Sequence, residues 1–247
     1  MDTRPNINPM TAEEPAVQPR DPLDWRPLEA RQTSRNPEIM DPIIEPLWDG
    51  HRVLAHFKST PSGPERGTIK LIDTVGDDVT NEYPEVVAAL VAGVYANDAV
   101  IDGVLTYQAL AGGEGVSVVP GANISSMGML MGRPAEVTME RPHDQQADEQ
   151  VELGSDQFAF VALDLLSIDG QTLFDLPLLE RKRQLDSLIG VSQYARVSPY
   201  ARPPVAQWLN SWKSAGFRGV VLKAANSRYR PSEIAGKWAI IERVTAR

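Results

Sequence analysis

From residue 39 onward the apolar positions fall into short runs broken by turns. In IIEPLWDGHRVLAHFK (43–58) an apolar run, a proline and a turn at Asp49-Gly50 precede the alternation Val53, Ala55, Phe57, which predicts strand, turn, strand. GTIKLIDTVGDDVTN (67–81) reads as a strand entering a Gly-Asp turn, and Pro84 opens an amphipathic helix, PEVVAALVAGVY (84–95). DAVIDGVLTYQAL (98–110) is expected to be a pair of strands interrupted at Asp102-Gly103. Strand character returns in FAFVALDLLSIDG (158–170), followed by periodic helices in LPLLERKRQLDSLI (176–189) and PVAQWLNSWKSAG (204–216). GFRGVVLKAA (216–225) and KWAIIERV (237–244) read as strands around a basic turn, NSRYRPSEIAG (226–236). Short strands with interspersed helices predict an α+β domain with antiparallel sheets.

Two stretches lack such a period. Residues 1–38 contain seven prolines and are expected to be a flexible or extended Pro-rich leader, docking on the domain only through Leu23, Trp25 or Leu28. Residues 111–157 combine AGGEG, a stretch around Met127, Met129 and Met131, and the acidic loop RPHDQQADEQVELGSDQ. The methionines are expected to fill core.

Charge then changes the picture. The 247 residues carry 33 acids and 24 bases, a net charge of -9, which argues against a general polyanion-binding surface. Yet the balance is uneven: residues 39–174 hold 21 acids and 6 bases, whereas 175–247 hold 5 and 13. A local phosphate-facing surface in the last third is one reading, and pairing of opposite charges across the fold is the other. The absence of cysteine excludes disulfides, thiolate nucleophiles and Cys-containing metal sites, and His51, His56 and His143 cannot make a standard structural zinc site. No apolar run of membrane-spanning length and no signal-like start occurs, so the expectation is a cytoplasmic protein without a membrane partner.

A G-x-S-x-G elbow, a P-loop and a G-x-G-x-x-G fingerprint are all missing, and AGGEG lacks the lysine of a phosphate cradle. Five ordered blocks are more informative: EPLWDGHR (45–52), IDGVL (101–105), FVALDLLSIDG (160–170), RGVVLK (218–223) and KWAIIE (237–242). With LIDTVGDDVTNEYPEV (71–86), DLPLLERKRQLDSLI and SRYRPSEIAGKW, they resemble the adenylation domain of ATP-dependent DNA ligases, particularly the bacterial type associated with end-joining repair. The resemblance covers residues 39–247. It implies a nucleotidyltransferase (ATP-grasp-like) core of antiparallel sheets flanked by helices, here without a C-terminal OB-fold domain.

The resemblance also implies a chemistry, and the implied residues are mostly absent. In the family a lysine of the first block attacks the α-phosphate of ATP. Leu47 holds that position and has no lone pair to attack with, while Asp49, Gly50 and Arg52 match the pattern. Carboxylates near ribose and metal are replaced by Val104 and by Arg218, and the aromatic that stacks on the base by Leu163. Ile240 and Glu242 replace the two final lysines, whereas Lys223 is retained. Of the usual Arg-Asn-Gly turn only Gly76 remains, after Thr74 and Val75. The expectation is a degenerate site with no catalytic residues and no metal site, retaining at most a nucleotide subsite of Glu45, Trp48, Arg52, Leu163 and Lys223.

Lys58 and Lys70 are candidate substitute nucleophiles, weighed against solvated strand lysines. Arg228, Arg230 and Lys237, with Arg218 and Lys223, form the densest basic group and are candidates for DNA or phosphate contact, weighed against solvating a sheet edge and pairing with acids; Tyr229, Trp238 and Trp48 beside them are aromatic surface or core. Three functions follow as expectations: an inactive ligase-like protein that binds or scaffolds beside DNA or a DNA-repair protein; an active ligase with relocated chemistry; and an interaction module with no nucleotide or DNA role. No cofactor is expected, with ATP and magnesium retained only if residual binding persists.

Overall fold

The computed structural model describes residues 21–33, 37–60, 66–107, 158–190 and 192–242. The expectations for AGGEG, the methionine-rich stretch and the acidic loop lie outside these residues. Along the chain run β1 (Glu29–Gln32), β2 (Pro42–Pro46), β3 (His51–Ser59), β4 (Gly67–Asp73), α1 (Pro84–Gly93), β5 (Asp98–Thr106) and β6 (Ala159–Ile168). Then come β7 (Gln171–Thr172), α2 (Leu178–Leu188), β8 (Ala195–Val197), α3 (Val205–Ser214), β9 (Val220–Ala224) and β10 (Ile234–Ile241).

The strands build two sheets. The smaller has the order β1-β10-β9-β2, and the larger has the order β4-β3-β5-β6-β7, with β8 also paired to β6. Most neighbours are antiparallel, as expected, but β1 pairs β10 and β8 pairs β6 in parallel, so both sheets are mixed.

Alternation along β3 decides what each face covers. Val53, Ala55 and Phe57 point into a core shared with Val86 and Leu90 of α1 and Leu185 and Leu188 of α2. Leu54 points the other way, into a second core with Ile43, Leu166, Trp238, Trp25 and Leu28 between the sheets. On the far face of the smaller sheet α3 packs Trp208, Leu209 and Trp212 against Ile44, Val220 and Leu222. The result is a helix, sheet, sheet, helix stack in which each fully buried aliphatic side chain contributes roughly 1.5–3 kcal/mol. Strand β6 is central to it, with nine of its ten residues buried, matching its nearly continuous apolar sequence. No helix among the described residues is long and apolar enough to cross a membrane.

Two features of the chain were not expected. Trp25 and Leu28 dock on the domain as expected and Leu23 stays exposed, but residues 29–32 go on to form a strand of the smaller sheet. Four polar-rich residues carry too little hydrophobic alternation to announce an edge strand. The strand pair expected at 98–110 is one strand, because Asp102-Gly103 is not a turn. A Cβ on Gly103 would stand 2.3 Å from Cζ of Phe160, so glycine serves close approach between β5 and β6, where the register also shifts. Gly50 serves similarly in the β2–β3 turn, where a Cβ would lie 2.2 Å from the carbonyl oxygen of Leu105.

His56 lies on β3 with Nε2 buried and without a hydrogen-bond partner among the described residues. Burial depresses its pKa from 6.5 to about 4; Asp21 and Asp78 favour the charged form while Arg26 and Lys70 oppose it.

Gly103→Ala is expected to destabilise the fold by about 1–3 kcal/mol through overpacking against Phe160, read as a lower urea midpoint at unchanged m value. For His56, only the unfolded chain takes up the proton between pH 6.5 and about 4. Stability should therefore fall as pH is lowered through that window, by on the order of 3 kcal/mol from this residue. A His56→Leu variant followed by thermal denaturation across the same pH range should show a shallower loss than the parent protein.

Candidate functional site

The two sheets face each other across a cleft of about 340 Å³. Its wall draws Leu47 and Trp48 from the β2–β3 connection, Val104 from β5, Leu163 from β6, Val221 and Lys223 from β9, and Trp238 and Ile240 from β10. Glu45, Arg52 and Thr74 add polar groups, and the segment Pro27 to Ala30 with Gln32 forms one side. Ordered blocks distant in sequence thus converge on one cavity, and Leu47, Val104, Leu163 and Ile240 all line it.

The polar residues of the cleft are held in buried networks. Glu45 is the shared partner of two lysines: Lys223 donates from Nζ to Oε2 at 2.9 Å, and Lys182 Nζ lies 2.8 Å from Oε1. All three are almost fully buried. Burial alone would push the Glu45 carboxyl up, but the two ammonium groups outweigh it and hold the pKa below the usual glutamate value. Burial lowers that of Lys223, and Glu45 opposes the shift. Lys223 Nζ also sits 4.5 Å from the centre of the Trp238 ring, a cation–π contact.

A second network ties the N-terminal wall to the larger sheet. Arg52 donates twice to the buried Asp102, at 2.6 and 2.7 Å. The Tyr229 hydroxyl donates to Asp102 at 2.7 Å and accepts the backbone N–H of Leu28 at 2.7 Å. Burial, reinforced by the Asp102 charge, raises the pKa of Tyr229 well above its ordinary value, which keeps the hydroxyl a donor. Behind the cleft Arg181 donates twice to Asp164, at 2.8 Å each, with both residues buried. Trp48 is anchored by an Nε1 hydrogen bond to Ser198 Oγ at 2.8 Å and an edge contact with Phe217.

These pairings limit the chemistry. Glu45 and Asp102 are both engaged by cations, and no group of three or more His, Asp or Glu side chains that could hold a metal gathers among the described residues. Magnesium takes hard oxygen ligands, commonly one or two carboxylates together with substrate phosphates, and Glu45 and Asp102 are already committed to cationic partners. Leu47 offers no lone pair, and Leu163 offers dispersion without an aromatic quadrupole.

Several expected site residues stand elsewhere. Arg218 pairs with Glu242 at 2.9 Å and lies 3.6 Å from Asp49, and neither Arg218 nor Glu242 lines the cleft. Arg228 and Arg230 both reach Asp175, and Lys237 is exposed on β10. The single basic group read from sequence therefore divides, because Lys223 is buried with Glu45 and the arginines pair with acids. Lys58 and Lys70 are exposed and lie off the cleft wall. Trp48, Trp238 and Tyr229 are core rather than aromatic surface.

Sequence reasoning missed Lys182, Arg181 and the cleft role of residues 27–32. For the first two a signal was present: they fall between Leu178 and Leu185 on the buried face of α2, where the period calls for apolar residues. A charge on the core stripe of a helix implies a buried counter-charge.

A family model described as the ATP dependent DNA ligase domain matches residues 29–240. Over 195 residues the chain is 25% identical to the multifunctional non-homologous end joining DNA repair protein LigD of Mycobacterium tuberculosis, covering 79% of this chain and 21% of that protein. A DNA ligase of Natronomonas pharaonis is 29% identical over 202 residues, covering 79% of this chain and 31% of the ligase. The chain thus spans well under half of these relatives. Among solved structures, the ligase domain of M. tuberculosis LigD superposes with a TM-score of 0.57 at 20% identity, covering 90% of this chain and 60% of that one. A mycobacterial DNA ligase D complexed with ATP and MES gives a TM-score of 0.56 at 21% identity, covering 89% of this chain and 60% of that one.

Tyr229→Phe is expected to leave the Leu28 N–H buried without its acceptor, at a cost of about 1–3 kcal/mol. Hydrogen exchange should localise the effect, with amides of residues 28–32 exchanging faster than in the parent protein while those of β3 and β5 change least.

Proposed function

The chain belongs to the family of the ATP dependent DNA ligase domain, and on that footing we propose that it is an inactive member, acting by binding or scaffolding rather than by adenylyl transfer. The observation that carries this reading is Leu47 on the cleft wall, at the position where the family resemblance calls for the attacking lysine. Covalent catalysis needs a nucleophile at the reacting phosphate, and no adjustment of environment gives a leucine side chain one. Val104, Leu163 and Ile240 around the same cleft support it, because charge stabilisation and base stacking are withdrawn together. The proposed link to DNA repair rests on the LigD relatives, which are non-homologous end joining DNA repair proteins, and on the shared fold. DNA or a DNA-repair protein is the proposed partner.

A second reading, relocated chemistry, draws on one observation: Lys223 lines the cleft with its pKa lowered by burial. Its Nζ donates to Glu45 and faces Trp238, an arrangement that favours a structural ammonium.

Incubation of the protein with ATP and magnesium, followed by intact-mass measurement, is expected to show the unmodified mass alone. A stable adduct one AMP heavier would overturn the inactive reading, and mapping that adduct to Lys223 would establish the second.

A further inference from the structure

We propose that the cleft has changed ligand class and takes an uncharged nucleoside in preference to a nucleoside phosphate. The inference rests on the reading of an inactive member, because it follows from the same replaced wall. Three observations carry it.

The first is charge. The charged side chains on the wall are Glu29, Glu45, Arg52 and Lys223. Both cations are engaged by carboxylates, Arg52 in a two-point contact with Asp102 and Lys223 with Glu45. Among the described residues the wall therefore offers no cation without a carboxylate partner, and Glu29 shares the sign of a phosphate. Lys182 approaches Glu45 without itself lining the cleft. A chain of phosphates entering here would shed its hydration for at most the spare N–H groups of Lys223, fewer charge-assisted hydrogen bonds than three phosphates need.

The second is surface chemistry. Leu47, Val104, Leu163, Val221 and Ile240, with the rings of Trp48 and Trp238, make most of the wall apolar. Such a wall with a few placed polar groups is the usual form of a site for an uncharged, ring-bearing ligand. At about 340 Å³ the cleft is small, near the lower end of the roughly 300–1,000 Å³ typical of ligand sites, which suits a base and sugar better than those plus three phosphates.

The third is an available donor. An ammonium carries three N–H groups. Lys223 directs one to Glu45 and lies over the Trp238 ring, which leaves donor capacity for a neutral acceptor such as a ring nitrogen or a hydroxyl oxygen.

The test titrates the full chain with adenosine, AMP and ATP, each without metal, by isothermal calorimetry at physiological ionic strength. Adenosine is expected to bind at least about tenfold more tightly than ATP, with AMP between them. Leu47→Lys, which returns an ammonium to the wall, should narrow or reverse that order. ATP binding as tightly as adenosine, or no binding by any of the three, overturns the inference. Tighter ATP binding without an AMP adduct sinks this inference alone, whereas an adduct in the intact-mass experiment sinks the inactive reading beneath it as well.

Discussion

Charge burial between two sheets is the constraint around which this fold is arranged. Glu45, Asp102 and Asp164 are removed from water on β2, β5 and β6, and an isolated carboxylate there would be intolerable. Each is met by cations from elsewhere in the chain: Lys182 and Lys223, Arg52, and Arg181. Because every pair joins different elements, satisfying one fixes the distance between two pieces of structure. Lys182 and Arg181, consecutive on α2, reach two different carboxylates and so set both the height and the rotation of that helix over the larger sheet. Such pairs contribute little net stability over an apolar replacement, but breaking one from either side is costly, so they act chiefly as geometric specifications.

That distinction separates the residues that hold the cleft's shape from those that line it. The residues that determine the fold here are the paired ones behind and below the cavity, together with the glycines that permit close strand approach. Leu47, Val104, Leu163 and Ile240 belong to neither group; they line the cavity, where an apolar side chain creates no unpaired charge.

Much of the fold was legible in the chain. The alternation of Val53, Ala55 and Phe57, the proline before α1 and the apolar run of β6 all announced elements that form where the pattern put them. The order of the blocks was enough to name the fold. What escaped were features set by tertiary contact alone. Residues 29–32 become a strand because the exposed side of β10 accepts them, and nothing local in Glu29 or Gln32 says so. Asp102-Gly103 has the composition of a turn, but the demand of Phe160 for space overrides local propensity. The partners of the basic residues were hidden for a related reason: net charge along a segment does not reveal which members will be buried beside acids from another part of the chain.

The parallel pairing of β1 with β10 has a bearing on biogenesis. A strand near residue 30 must wait for one near residue 240, and the hydroxyl that fixes its approach sits on Tyr229, 201 positions beyond Leu28. During vectorial synthesis the earlier partner emerges from the ribosome long before the later one exists. Until then its backbone groups lack their native mates, and closure over so long a stretch is slow. The segment that walls the cleft is therefore among the last to settle, and an interrupted translation product would present an unpaired edge to neighbouring chains.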